Sequence, residues 1–158
     1  MSIEAKTGLV VVASHYESGG QRAEELMEAA VQSMKDRMVV PVVGSKTVWD
    51  AADAIDVCKE FKEQGVDSLT VILSTWVTDS LLYVLVHEMQ IPVVFWAVPY
   101  TETFSIGCVQ HFGSALTTHG IPYDYVYGLT NDKAAADKVA KIAEVGRIMK
   151  AVGNMKLA

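Results

Sequence analysis

The chain has 158 residues, 51% of them apolar and 20% charged, with a net charge of −6 and a pI near 5.1. That length suits one domain, which buries roughly 70% of its unfolded surface and needs no disulfide or metal staple. The composition argues against a disordered chain, and the lack of any Lys/Arg stripe against a nucleic-acid or anionic-membrane partner. No apolar run reaches the ~20 residues of a membrane span.

The opening MSIEAKTG is too acidic and too poor in apolar residues for a signal peptide. Cys58 and Cys108 fall in helical patterns and read as buried thiols of a reducing compartment. A cytoplasmic location is expected.

The first β-branched run, LVVVA, starts near Leu9. Ser18 and Gln21 then form a capping-box pattern, followed by a helical stripe of Ala23, Met27, Ala30, Val31 and Met34. The second run, VVPVVG, starts near Val39. Thr47 with Asp50 gives a weaker box, and Val48, Ala52, Ile55 and Cys58 form the next stripe, closed by Gly65.

The third run, LTVILS, starts near Leu69. Thr78 is placed to cap a helix whose stripe, Leu81, Leu82, Leu85, Val86 and Met89, is the clearest in the chain. Pro92 ends it just before the fourth run, VVFWAV, at Val93. A long loop over 99–107 leads to a helix that stops at Gly120, with Pro122 next. The fifth run, YDYVYG, starts near Tyr123 and alternates as an edge strand would. Asn131 is a candidate cap for the last helix, with the stripe Ile142, Val145, Met149 and Val152.

Four of the five runs are nearly continuous in apolar residues, the mark of strands covered on both faces. Their starts are about 30, 30, 24 and 30 residues apart, one βα unit each. Right-handed crossovers then give a doubly wound, three-layer α/β/α domain with a parallel five-stranded sheet in the order 2-1-3-4-5, flavodoxin-like. Residues 1–153 are read as that domain. Gly153-Asn154 is a turn signal, and Met155-Lys156-Leu157-Ala158 reads as the start of a further strand. On this reading 154–158 open a following domain and the chain is a piece of a longer protein.

Ligands of such sheets bind beyond the carboxyl ends of the strands, at the switch point between strands one and three. Loops 14–20 and 74–79 meet there, flanked by loop 99–107, all rich in hydroxyls and aromatics and poor in cations. Gly19-Gly20 before a helix is a phosphate or FMN candidate, but Glu17 shares the loop and no cation precedes Arg22. A response-regulator site needs an aspartate ending strand three, where Ser74 stands. His15, His87, His111 and His119 have no paired metal-ligand spacing, and neither cysteine has a sequence-evident activating base. Trp76 is the most informative residue, since an indole at a strand's carboxyl end offers an apolar plane and one N–H donor. Trp49 and Trp96 read as structural.

The stretch GVDSLTVILSTWVTDSLLYVLVHEMQIPVVFWAVP, with GIPYDYVYG after it, resembles the N-terminal domain of the L-fucose/L-arabinose isomerase family. The most specific pieces are Ser74-Thr75-Trp76, Trp96-Ala97-Val98-Pro99 and Gly120-Ile121-Pro122-Tyr123. The resemblance implies ketol isomerisation of an aldose sugar at a Mn²⁺ site whose ligands lie in later domains. It gives this domain a substrate-facing and oligomer-forming role within a homo-oligomer, with no catalytic residue or metal of its own. It also implies that Trp76 lines the sugar pocket of a neighbouring subunit. The loop after strand one adds polar contacts through His15, Tyr16 and Glu17. Some fucose isomerases carry an arginine where this chain has Tyr16 or Glu17. Two other functions fit the residues: a free-standing flavodoxin-like module binding a polyol or nucleotide, and an interaction domain whose apolar loop residues Trp76, Phe104 and Ile106 serve only assembly. Trp76, Val77, Phe104 and Ile106 are all expected in loops at the surface of the carboxyl edge.

Overall fold

A computed structural model describes residues 4–155. Five parallel strands form one sheet in the order β2-β1-β3-β4-β5: β1 Ala5–Val12, β2 Val39–Val43, β3 Ser68–Leu73, β4 Val93–Ala97 and β5 Asp124–Tyr127. Between and after them run α1 Ala23–Met34, α2 Ala51–Gln64, α3 Asp79–Met89, α4 Ser105–Thr118 and α5 Lys133–Gly153. The flavodoxin-like three-layer arrangement expected from the sequence is therefore present. Among the described residues no helix is long and apolar enough to cross a membrane.

Each face of the sheet has its own core. Val10, Leu69, Val71 and Phe95 point towards α2, α3 and α4, while Leu9, Val11, Ile72 and Trp96 point towards α1 and α5. Alternate residues of one strand thus feed opposite cores, which is why the central runs are apolar throughout. β3 and β4 are buried along their whole length. β2 is not, because its place at the sheet's edge leaves Val40 and Val43 exposed and tolerates Pro41. β5, at the other edge, alternates as expected, with Val126 buried between exposed tyrosines.

Two helices sit in a different phase from the one their stripes suggested. In α2 the buried row is Ala54, Val57, Cys58 and Phe61, and Ile55 is 51% exposed. Phe61 wins the core because Gly8 and Gly44 leave room for its ring: a Cβ on Gly8 would lie 2.8 Å from it. In α5 the buried row is Ala135, Ala136, Val139, Ala143 and Gly146, and Val145, Met149 and Val152 face outwards. A Cβ on Gly146 would stand 2.0 Å from the Asp67 carbonyl oxygen, so α5 approaches the start of β3 backbone to backbone.

The caps shift by one or more residues. Asp50, not Thr47, caps α2 by accepting from Asp53 N at 2.9 Å, and Asp132, not Asn131, caps α5 by accepting from Ala134 N at 2.8 Å. Gln21 Oε1 accepts from Gly19 N, and Ser18 takes no part. Thr78 sits at the start of α3, but its hydroxyl pairs with that of Ser80 and not with a backbone N–H of the helix. Gly65 and Gly120 both adopt the left-handed conformation expected where α2 and α4 end, with φ of 64° and 68°. Asn154 closes the expected turn after α5 and Met155, the first residue of the expected further strand at 155–158, still bonds back to Val152 O; 156–158 lie outside the described residues.

Candidate functional site

The register brings Val12, Leu73, Ala97 and Tyr127 level across β1, β3, β4 and β5, so the loops that follow share one edge. Three of them are tied together by hydroxyls. Ser74 Oγ donates to Gly19 O at 2.7 Å, Ser14 N donates to Thr75 Oγ1 at 2.8 Å, and Ser105 Oγ donates to Leu73 O at 2.8 Å. Trp76 N donates to Thr103 O at 3.1 Å. Ser74, Thr75, Thr103 and Ser105 are all buried. The hydroxyls that made these loops look suited to a ligand hold loop to strand instead.

Gly19 lies where loops one, three and four meet. Its φ is 117°, and a Cβ there would come within 2.6 Å of Thr103 and 3.0 Å of Ser74 O. Arg22 pins the same junction. Its guanidinium lies 3.9 Å over the Tyr100 ring, and Nη2 comes within 2.6 Å of Glu102 Oε1. That approach is an ion contact and not an aligned hydrogen bond, since Nε and Nη2 are buried without a hydrogen-bond partner. Glu102 is held below the usual carboxylate range by its own backbone N–H and then by Arg22. Arg22 is therefore committed to Glu102 and Tyr100, which weakens the phosphate reading of the Gly19-Gly20 turn.

The four sequence-predicted site residues divide into two places. Trp76 is half-buried at the start of the loop leading to α3. Its ring stacks on Phe104, with centroids 6.1 Å apart and planes 9° apart, and meets His111 at 5.8 Å. His111 Nε2 lies 3.0 Å from Asp79 Oδ2, and both side chains are open to solvent. His15 is stacked on Trp49 at 4.1 Å with planes 4° apart. Tyr16 is 98% exposed, and Glu17, also exposed, makes only a 3.4 Å backbone turn bond to Ser14. No stacking or hydrogen bond joins His15, Tyr16 or Glu17 to Trp76.

Of the apolar loop residues, Phe104 is where the sequence placed it, and Ile106 and Val77 are not. Phe104 is 60% exposed and left-handed, with φ 46°, a costly conformation for a non-glycine residue. Its ring lies over Gly107, where a Cβ would clash at 2.2 Å. α4 starts at Ser105, so Ile106 is helical and half-buried and does not belong to a loop. Val77, expected at the surface, is 2% exposed, and the Cys108 thiol packs against its carbonyl at 3.6 Å. Trp49, read as structural, presents one face to His15 and covers Gly20 with its ring. Trp96 is structural as expected: it is fully buried, and its Nε1–H donates to Gly128 O at 3.2 Å.

The remaining candidates are inert. Cys58 and Cys108 are free and buried, and burial pushes both thiols up to about 11. His87 and His119 are exposed, His119 bonding the Ala115 carbonyl of its own helix. Among the described residues no three of His, Cys, Asp and Glu stand close enough to hold a metal ion. Among the described residues there is thus no ligand set for the Mn²⁺ that the family resemblance implies. What the edge offers chemically is an aromatic ledge, Trp76 with Phe104, bordered by one carboxylate and one imidazole. Comparison of the sequence with protein-family models and with curated proteins gives no match.

Proposed function

We propose that this chain is the N-terminal, substrate-facing domain of an aldose–ketose isomerase of the L-fucose/L-arabinose type. On this reading the domain assembles into a homo-oligomer, and metal-dependent proton transfer is carried out by residues in later domains. The observation that carries the proposal is the ledge of Trp76 and Phe104 beside Asp79 and His111. A sugar has an apolar face of C–H groups and a rim of hydroxyls. An indole plane takes the first, and a carboxylate acceptor next to an imidazole takes the second. The strained Phe104 fits a position kept for contact, because it costs the domain stability and adds little burial.

The role of these residues is to bind and orient the sugar and to exclude water from one side of it. Titration of the isotopically labelled chain with L-fucose, L-arabinose and D-arabinose, followed by NMR, tests the reading. Shifts confined to the Trp76 indole, Phe104, Asp79 and His111 support it. No shift at the carboxyl edge with any of the three sugars overturns it. The chain alone should form no ketose from these sugars with Mn²⁺ present, and turnover above a protein-free control would place chemistry in this domain after all.

A further inference from the structure

The opposite edge of the sheet carries a groove of about 530 Å³ beneath the first residues of β4 and β5. Tyr83, Val86 and His87 of α3 form one wall, and Ile142, Val145 and Met149 of α5 form the other. The wall on α5 continues as a ridge. Val145, Met149 and Val152 are 51%, 58% and 59% exposed, and Ile148 lies beside them. Their spacing puts them on one side of the helix, while Ala135, Ala136, Val139, Ala143 and Gly146 seat the other side on the sheet. α5 is thus apolar on two faces, and a helix exposed to solvent has use for only one.

The extent of the bare surface narrows what covers it. A half-exposed large side chain bares something near 70–100 Å². The ridge with Tyr83 and Met155 therefore offers on the order of 500 Å², the upper end of what monomers leave open. With the groove's floor it approaches the ~800 Å² per partner of a standard interface. Most charges around it are compensated within the chain: Glu144 by Arg147, Asp124 by Lys138, and Lys150 by the Gly65 carbonyl and Asp67. Lys141, exposed one turn before Val145, makes no ion pair among the described residues. Two like surfaces can meet here with the Lys141 ammonium reaching past the rim to water on its flexible stem.

We infer that this amino edge is a contact between two copies of the chain. The α5 ridge of each copy seats in the groove of the other about a twofold axis. A ridge and a groove side by side on one surface are what an isologous contact requires, since the same patch then serves both partners. This interface lies at the far end of the strands from the Trp76 ledge, so it leaves the ledge open; it deepens the homo-oligomer part of the function proposed above and does not depend on sugar binding at the ledge.

Sedimentation equilibrium of the full chain over a range of concentrations tests it, with Val145→Glu/Met149→Glu as the disrupting variant and Phe104→Ser as the control. Both disrupted side chains are exposed, so the double variant should melt as a folded domain. The wild type should pass from monomer to dimer with concentration, and Phe104→Ser should do the same. The double variant should dissociate at least about a hundredfold more readily, a factor of ten for each substituted position. A wild type that stays monomeric overturns the inference, and would assign the face to a different partner. A folded double variant that dimerises like the wild type overturns it too. Dimerisation lost in Phe104→Ser and kept in the double variant would move assembly to the carboxyl edge.

Discussion

At the carboxyl edge of the sheet, Ser74, Thr75 and Ser105 spend their hydroxyls on neighbouring backbone, and Arg22 is locked between Tyr100 and Glu102. At the amino edge Asp67 Oδ2 accepts from Lys6 N and Ser68 Oγ donates to Thr7 Oγ1, while apolar side chains of α3 and α5 stand open beside a groove. The difference lies in what each edge leaves over. Loops that cross a buried strand end have to satisfy their own backbone groups, and short polar side chains are the local means. What stays open at this edge is the Trp76–Phe104 ledge with the Asp79–His111 pair and, in a separate place, His15, Tyr16 and Glu17. The amino edge meets its own demand through Asp67, Ser68 and Thr7, and what it leaves open is hydrophobic.

The largest expected effect lies between the two edges and calibrates both. Trp96→Ala removes a fully buried ring and its hydrogen bond to Gly128 O. It should cost about 3–5 kcal/mol, which for a domain of this size lowers Tm by roughly 6–20 °C. A melt shifted by only a degree or two would mean that β4 is not the rigid centre on which both edges are hung.

Gly146→Ala probes the amino edge. The added methyl meets the Asp67 carbonyl, a backbone atom that cannot rotate away, so α5 must lift from β3. Overpacking of this kind costs about 1–3 kcal/mol. The helix propensity gained, about 1 kcal/mol, offsets part of it. Unchanged or raised stability would show that α5 rides further from the sheet than its glycine implies.

Much of this was legible in the residues. The continuous runs at Leu9, Leu69 and Val93 are strands covered on both faces, and their spacing gives the strand order that the sheet adopts. The phase of α5 was not legible, because its buried face is made of alanines and a glycine chosen for closeness. The larger Ile, Val and Met side chains that draw the eye lie outside. The same holds for Phe61, whose claim on the core depends on glycines in two other elements. At the candidate site, Trp76 and Phe104 could be singled out by their places in two loops of one edge. Their meeting, and the parts of Asp79 and His111, could not, because these residues converge only once β4 lies beside β3 and α4 starts at Ser105.

Trp76→Ala tests the carboxyl edge against the Trp96 benchmark. The side chain is half-buried and gives up its contacts with Phe104 and His111. A loss of about 1–2 kcal/mol is expected, so the domain should stay folded while losing the sugar-induced shifts. Weakening of sugar affinity by about tenfold corresponds to 1.4 kcal/mol. A melt that falls as far as that of Trp96→Ala would assign Trp76 to the core and remove it from the ledge.

The smallest effect belongs to the pin between loops. Glu102 is exposed, and its own backbone N–H and Arg22 hold its carboxyl below the usual range. A carboxyl whose folded value is depressed stabilises the fold fully above its unfolded value of about 4.3. That contribution is lost as pH falls through the lower, folded value. Glu102→Gln cannot ionise and so lacks it at every pH. The Tm gap between wild type and Glu102→Gln should therefore be constant near neutrality and close only in acid, below the ordinary glutamate range. Salt should narrow it at neutral pH, because the pair is open to solvent. A gap that closes nearer pH 6 would tie the loop to a histidine, and His15 in the neighbouring loop would be the first to replace. A gap that persists in acid would mean that the Arg22–Tyr100 stack holds the loop without the carboxylate.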